Sequence, residues 1–486
     1  MGERSKVIVC VLVSAGLCAL SWPGFFSPFL LFISFIPALM AYGSLRPSQG
    51  FAWGCLHGAV MYGIGGYWVI ISIHMVFGIS FPLSMLVFMV MLFLFYSIPS
   101  GLFAVVISSS RRPGCWWQRV LLLAAGFILW GGIEYTRGVV FPGFNVMTLA
   151  SCFYNYPAML SPVSSTGQHG YSVLIMLINV SLFLLGRQFW AAWKMKKVFP
   201  VVQWPSIGSV VFLMGVSGLF AASHAADYSR GSDPPRIASQ SVLLVQPLIP
   251  AEEKWRKKYI RSNLERCIRV TRDKLSPATR LVIWPETALQ FYLQQDSSYS
   301  RRVLSFVRHA EITLLAGGPE YVKSGDETRY YNSIYLVDEE GARSIYRKER
   351  LIPFAEYCPV SLFQPFFEKM LGKNQYSTGV DNSGLNADNV RIAFAICFES
   401  LFPGVMSDRS KNADLVVIVS DDAWLGTTHG ALQHLAGTVP AAVENGMWML
   451  FCVNSGVSAV IGPDGTIKQS LPFGMEGTIA FPEKEM

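Results

Sequence analysis

Three side chains whose types can run acyl transfer stand at the ends of short β-branched runs. RLVIWPE ends at Glu286, VRIAFAIC ends at Cys397, and Lys348 follows the run RSIY inside YRKERLIPFAEY. Strand ends in α/β folds are where reactive groups gather. A carboxylate there can take a thiol proton. An ammonium can favour the thiolate and then the tetrahedral oxyanion, and the peptide N–H after the cysteine adds a second donor. Taken singly, each residue has a plainer reading. A cysteine ending an apolar strand is usually a small buried hydrophobe, a glutamate after Trp-Pro a turn residue, and a lysine in RKER a solvated charge.

Taken together, the motifs are more specific. In order the chain carries VQPLIPAEEKW, VIWPETA, YYNSIYLVDEEG, YRKERLIPFAEYCP, AICFES, SDDAWLG, GALQHL and VNSGVSAVIGPDG. This resembles the nitrilase superfamily, and most closely its membrane-bound branch, the apolipoprotein N-acyltransferases. The resemblance implies Glu286 as general base, Lys348 as the oxyanion-stabilising lysine and Cys397 as nucleophile. It further implies Glu356 as a carboxylate holding the lysine, Glu399 as an essential carboxylate just past the nucleophile, Trp255 as an aromatic on a mobile lid, and Phe354 in the acyl pocket. The chain departs from the family pattern in several places. Phe398 stands where Tyr is usual, which removes a hydroxyl and keeps the ring. DDAWLG replaces NDAWFG, with Asp421 and Leu425. LAGTVPAAVENGMW lacks two arginines usual there and holds Pro440. FPEKEM ends the sequence without the family's usual last apolar span.

The elements that must position these groups divide the chain. Residues 242–486 alternate β-branched runs with charged, helix-compatible stretches, the texture of an α/β domain. The resemblance makes this a nitrilase-like αββα sandwich. Residues 227–241 are a small-polar linker with a Pro pair. Residues 1–226 hold seven apolar segments, at 7–21, 25–42, 54–76, 79–107, 120–133, 171–185 and 207–222, each read as a membrane span. Pro82 and Pro99 are expected to kink the fourth.

Charge supports this division. Residues 1–226 contain 11 basic and only 2 acidic residues, Glu3 and Glu134, a net +9; the remaining 28 basic and 30 acidic residues give −2. Bases without acids between apolar runs are topology signals rather than a nucleic-acid surface. Arg4 and Lys6, then Arg46, then Arg111, Arg112 and Arg119, then Arg187, Lys194, Lys196 and Lys197 fall in alternate loops, which predicts those loops in the cytoplasm. Seven crossings then put the enzyme domain outside, on the periplasmic face of a bacterial inner membrane. Glu134 and Arg137 are expected to pair or anchor at the interface. The nine cysteines include no CxxC, so neither a zinc site nor a disulfide framework is indicated. His74 and His434 read as satisfied or supporting polar groups, and Cys358 and Cys452 as buried, inert thiols.

The resemblance implies a phospholipid acyl donor, a diacylated apolipoprotein acceptor, a cysteine thioester between them, and no cofactor or metal. Two other readings compete: a membrane-tethered amidase acting on a soluble substrate, and a membrane scaffold with a decayed enzyme domain. Retention of Glu286, Lys348 and Cys397 together argues against the scaffold. VSLFQPFFEKML, residues 360–371, offers a large apolar surface expected to lie over the active site at the lipid.

Overall fold

A computed structural model describes residues 2–110, 116–139, 145–194, 204–229, 241–254, 256–359, 362, 364–371, 375–380, 384–387 and 390–482. The chain forms two compact units, Met1–Ile70 with Ser80–Arg230, and Ile71–Ile79 with Gly231–Met486.

The first unit is helical. Among the described residues two helices are long and apolar enough to cross a membrane, Phe81–Ser109 and Val163–Lys194. A third candidate is the pair Pro47–Gly65 and Trp68–Val76, bent by 64° where Gly65 and Gly66 weaken the helix. Residues 25–42, expected as one span, hold a 3-10 turn, Pro28–Phe32, and a short helix, Ile36–Tyr42, each with proline in its first turn. Before Pro99, which has no N–H to give, the long helix widens into a π turn at Phe93–Ser97. Asp227, Tyr228 and Ser229, expected in the linker, continue the helix Trp204–Ser229; the rest of that linker up to residue 240 lies outside the described residues.

Small residues set the packing of this unit. Gly50, Gly54 and Gly58 recur every fourth residue and face Ser108, Ala104 and Ser100 on Ile98–Ser109. A Cβ at Gly54 would lie 2.6 Å from the Ser100 carbonyl oxygen, so only glycine allows this approach, as in small-xxx-small membrane pairs. Two polar groups here find partners inside: the Asn179 amide donates to Leu31 O at 2.9 Å, and Glu134 accepts from Leu149 N–H at 3.1 Å and lies 3.5 Å from Arg137. Outward, Leu86, Met89, Val90, Phe93 and Leu94 are exposed and apolar.

The second unit contains two six-stranded sheets. The first runs in the order β12 (Gly477–Phe481), β1 (Ser241–Gln246), β2 (Thr279–Trp284), β3 (Thr313–Ser324), β4 (Glu327–Asp338), β5 (Gly341–Arg347). The second runs β11 (Ile467–Leu471), β10 (Ser458–Ile461), β9 (Trp448–Val453), β8 (Leu415–Ser420), β7 (Val390–Ile396), β6 (Leu385–Ala387). β1–β2–β3 and β7–β8–β9 are parallel, and the outer strands antiparallel. The parallel strands β1, β8 and β9 are buried along their whole length, which is why they read as unbroken apolar runs. β1 and β2 pack on β9, and Cys452 marks this interface, its Sγ 3.4 Å from the carbonyl oxygens of both Val245 and Ile283.

Helices cover the outer faces. Ile260–Arg272 turns Leu264, Cys267 and Ile268 onto the first sheet while Arg261, Glu265 and Arg269 face away, a 3.6-residue stripe. Ser298–Ala310 joins it, capped by Ser297 Oγ, which accepts from Ser300 N–H at 3.1 Å. Pro403–Ser410 and Gly430–Asn445 pack on the second sheet. The layers are helix, sheet, sheet, helix, the expected αββα order.

Candidate active site

Strand C-terminal ends deliver the site, those of parallel β2, β7, β8 and β9 and of antiparallel β5. Glu286 follows β2 through Pro285, and Gly317 of β3 lies flush against its backbone, where a Cβ would sit 2.6 Å from the Glu286 Cα. Lys348 follows β5, its N–H donating to Asn332 O of β4 at 2.8 Å. Cys397 follows β7 and opens a 3-10 turn, Cys397–Leu401. Asp421 and Asp422 follow β8, and Asn454 follows β9.

Glu286, Lys348 and Glu356 meet in a buried cluster. Lys348 Nζ lies 3.0 Å from Glu356 Oε1 and 3.4 Å from Glu286 Oε1, with the lysine 1% exposed. The Asn332 side-chain amide donates to both carboxylates, at 2.7 Å to Glu286 and 2.9 Å to Glu356. The Asp421 N–H donates to the other Glu286 oxygen at 3.0 Å, and the Ile352 N–H to the other Glu356 oxygen at 2.7 Å. Burial pushes the Glu286 carboxyl above its ordinary range; Glu356 and Asp421 push the same way, and Lys348 and Asn332 pull it back. Burial opposes the Lys348 charge, yet Glu356 and Glu286 outweigh it and hold the ammonium well above its ordinary range. The lysine is a fixed cation here, suited to an oxyanion and not to proton transfer.

Cys397 is buried and adopts φ +54°, a left-handed conformation that costs a non-glycine residue about 1–3 kcal/mol. The surrounding structure pins that turn from both sides. Glu399 Oε2 accepts from Ile396 N–H at 2.7 Å and from Tyr346 O–H at 2.8 Å, and Oε1 accepts from Glu349 and Arg350 N–H at 2.7 and 2.9 Å. Glu399 thereby ties the nucleophile turn to the lysine loop. On the other side His434 presents Nε2 to Cys397 O at 3.3 Å and Nδ1 to Asp422 Oδ1 at 2.8 Å. Both ring nitrogens face acceptors, so a doubly protonated ring satisfies both. Burial opposes that charge, but Asp422 outweighs it and raises His434. Burial pushes the Cys397 thiol well up; Glu286 and Asp422 add to this, and Lys348 and Ser420 oppose it. The resting group is a neutral thiol that needs a base.

The structure brings Glu286, Lys348, Glu356, Cys397 and Glu399 together. Phe398 is buried in the same turn, edge-on to Phe402 with ring centroids 5.0 Å apart. Phe354 is 37% exposed at φ +62° in the loop between Lys348 and Glu356. Trp255 lies outside the described residues, as do the side chains of Phe363 and Phe366 in the apolar stretch; of the rest, Leu362 is exposed and Phe367 buried. His74 Nδ1 lies 2.6 Å from Ile79 O, a satisfied polar group. Cys452 is buried, its thiol pushed up to about 12 by burial, whereas Cys358, expected buried, is partly exposed.

Several participants do not stand out in the sequence: Asn332, Lys254, Asp422 and Asn454. YYNSIYLVD gave one signal, a polar Asn inside a buried strand run. Cys397, Asp422 and His434 place three ligand atoms within 4.8 Å of one another and could hold a metal ion. Doing so would consume the thiol that acyl chemistry uses and displace the His434–Asp422 contact.

Comparison with known proteins follows this geometry. Residues 242–481 match the carbon-nitrogen hydrolase family, and residues 14–181 match the apolipoprotein N-acyltransferase N-terminal domain. An apolipoprotein N-acyltransferase of Geobacter metallireducens is 29% identical over 98% of this chain and 89% of its own length. One of Azotobacter vinelandii is 28% identical over 92% of this chain and 84% of its own. A Saccharomyces cerevisiae member of branch 10 of the nitrilase superfamily, of known structure, is 22% identical, covers 51% of this chain and 92% of that one, and has a TM-score of 0.37.

Proposed function

We infer the activity from the family: this chain belongs to the apolipoprotein N-acyltransferases, and it transfers an acyl chain to the amino terminus of a lipoprotein. The observation that carries the mechanism is Lys348 held between Glu286 and Glu356 beside a buried thiol. Glu286 takes the Cys397 proton as the sulfur attacks an ester carbonyl of a membrane phospholipid. Lys348 faces the resulting oxyanion. The tetrahedral species collapses, the lysophospholipid oxygen leaves and takes the proton back from Glu286, and the acyl chain stays on Cys397 as a thioester. The α-amino group of a diacylglyceryl-cysteine then attacks the thioester and gives its proton to Glu286. The Cys397 sulfur leaves and is reprotonated.

Membrane attachment suits such substrates. Each buried methylene is worth ~0.8 kcal/mol, so two-chain lipids do not leave the bilayer readily, and the enzyme must work at its surface. The alternating basic loops support seven crossings with the enzyme domain on the periplasmic side of the inner membrane. The domain division that goes with this reading is a membrane region to residue 226 and a catalytic region from 242.

The test is mass spectrometry of the purified full-length protein after incubation with phospholipid. We expect an acyl thioester on Cys397, absent in C397A and slowed at least a hundredfold in E286Q. Hydrolysis of a small amide, with no thioester from phospholipid, would instead favour an amidase.

A further inference from the structure

We propose that Lys254 is a positioning residue for this chemistry: by holding Asp421, it keeps the base Glu286 beside it ionised. Lys254 ends the loop after β1. Its side chain is 3% exposed, and its Nζ lies 2.5 Å from Asp421 Oδ2, 2.7 Å from Thr287 Oγ1 and 3.5 Å from the Glu286 carbonyl oxygen. Asp421 is the residue whose N–H binds Glu286 Oε2, and its carboxylate is near enough to push the Glu286 carboxyl up. Its other oxygen accepts from Asn454 Nδ2 at 2.9 Å. Asn454 also clasps the same loop, accepting from Ile249 N–H and donating to Ile249 O, both at 2.9 Å.

The arrangement is a charge balance. Glu286 shares its buried site with two further carboxylates, Glu356 and Asp421, and with the ammonium Lys348. On the side of β7 and β8 it also meets Cys397, and the ion-paired Asp422 and His434. Tyr376 adds a neutral phenol, which burial raises above its ordinary range. Without Lys254, three carboxylates would face one lysine. Carboxylates crowded together out of water cannot all stay ionised unless cations compensate, and Glu286, which burial already pushes up, would be the group to take up a proton. With Lys254 against Asp421 there are two cations for three carboxylates, and Glu286 can remain an acceptor.

The inference rests on Glu286 acting as base for Cys397. The test is the pH dependence of Cys397 alkylation by iodoacetamide in the full-length protein in detergent, followed by mass spectrometry of the Cys397 peptide. For K254M the acid limb should move up by about one pH unit, with the rate at pH 6 about tenfold lower. The double variant K254M/D421N should bring that limb back to within about 0.3 unit of the wild type, because the stranded carboxylate is gone. If Lys254 only fastens the loop, K254M and the double variant will slow equally with an unmoved limb, and the proposal falls. K254Q, which keeps a donor toward Thr287 while losing the charge, answers the same question if K254M does not fold. E286Q separates the two readings. An unchanged profile in E286Q would mean Glu286 is not the base; loss of the acid limb in E286Q, but no shift in K254M, would sink this inference alone.

Discussion

Asn332 does with one amide what the two carboxylates cannot do for each other. Its two N–H groups reach Glu286 and Glu356, fixing like charges on either side of Lys348, while its Oδ1 is buried without a hydrogen-bond partner among the described residues. Replacing it by Leu keeps the volume and removes the shared donor. We expect N332L to form the Cys397 thioester about 10–100-fold more slowly, a barrier increase of ~1.4–2.8 kcal/mol, measured by single-turnover acylation. The position of Glu286, Lys348 and Cys397 at strand ends was legible in the sequence because each follows a short apolar run. Asn332 and Lys254 were not, because their roles arise from contacts made across the fold: Lys254 meets Asp421 at a separation of 167 residues. His434 read as a supporting group, and its place behind the Cys397 carbonyl gives that support a geometry.

At the level of elements, Glu286, the proposed base, is placed by close packing between β3 and the turn after β2. A Cβ on Gly317 would meet Pro285 O at 2.7 Å and Thr287 N at 3.0 Å as well as the Glu286 Cα. A methyl there has nowhere to go but into backbone. We expect G317A to lower stability by about 1–3 kcal/mol, seen as a lower thermal midpoint, and to cut Cys397 alkylation by more than the loss of folded protein explains. An unchanged alkylation rate per folded molecule would show that the turn can shift without moving the carboxylate. The strands were readable because parallel strands buried on both faces keep apolar runs that no helix period interrupts. The apolar segments of the first unit were harder. Hydropathy sees residues 25–42 as one stretch, whereas Pro28 and Pro37 open two short helical pieces. The break at Gly65 and Gly66 within 54–76 likewise leaves no trace in mean hydropathy.

On the scale of the whole molecule, the charge pattern makes an orientation testable. Periplasm-dependent reporters such as alkaline phosphatase should be active when fused after Ser241 and inactive when fused near Lys196. The opposite pattern would put the enzyme domain in the cytoplasm and remove it from its proposed substrates. A different consequence follows from how the site is divided. Glu286 and Lys348 hang from one sheet, Cys397 and Asp421 from the other, and the Asp421–Glu286 hydrogen bond spans 135 residues of chain. Contacts so distant in sequence form late, after the entropy of closing long loops has been overcome. During synthesis Glu286 and Lys348 emerge before Cys397 does, and the proposed site is therefore assembled only when the two sheets dock. An unfolded chain exposes Cys397 as an ordinary alkylatable thiol, and docking of the sheets buries it among the groups proposed to activate it.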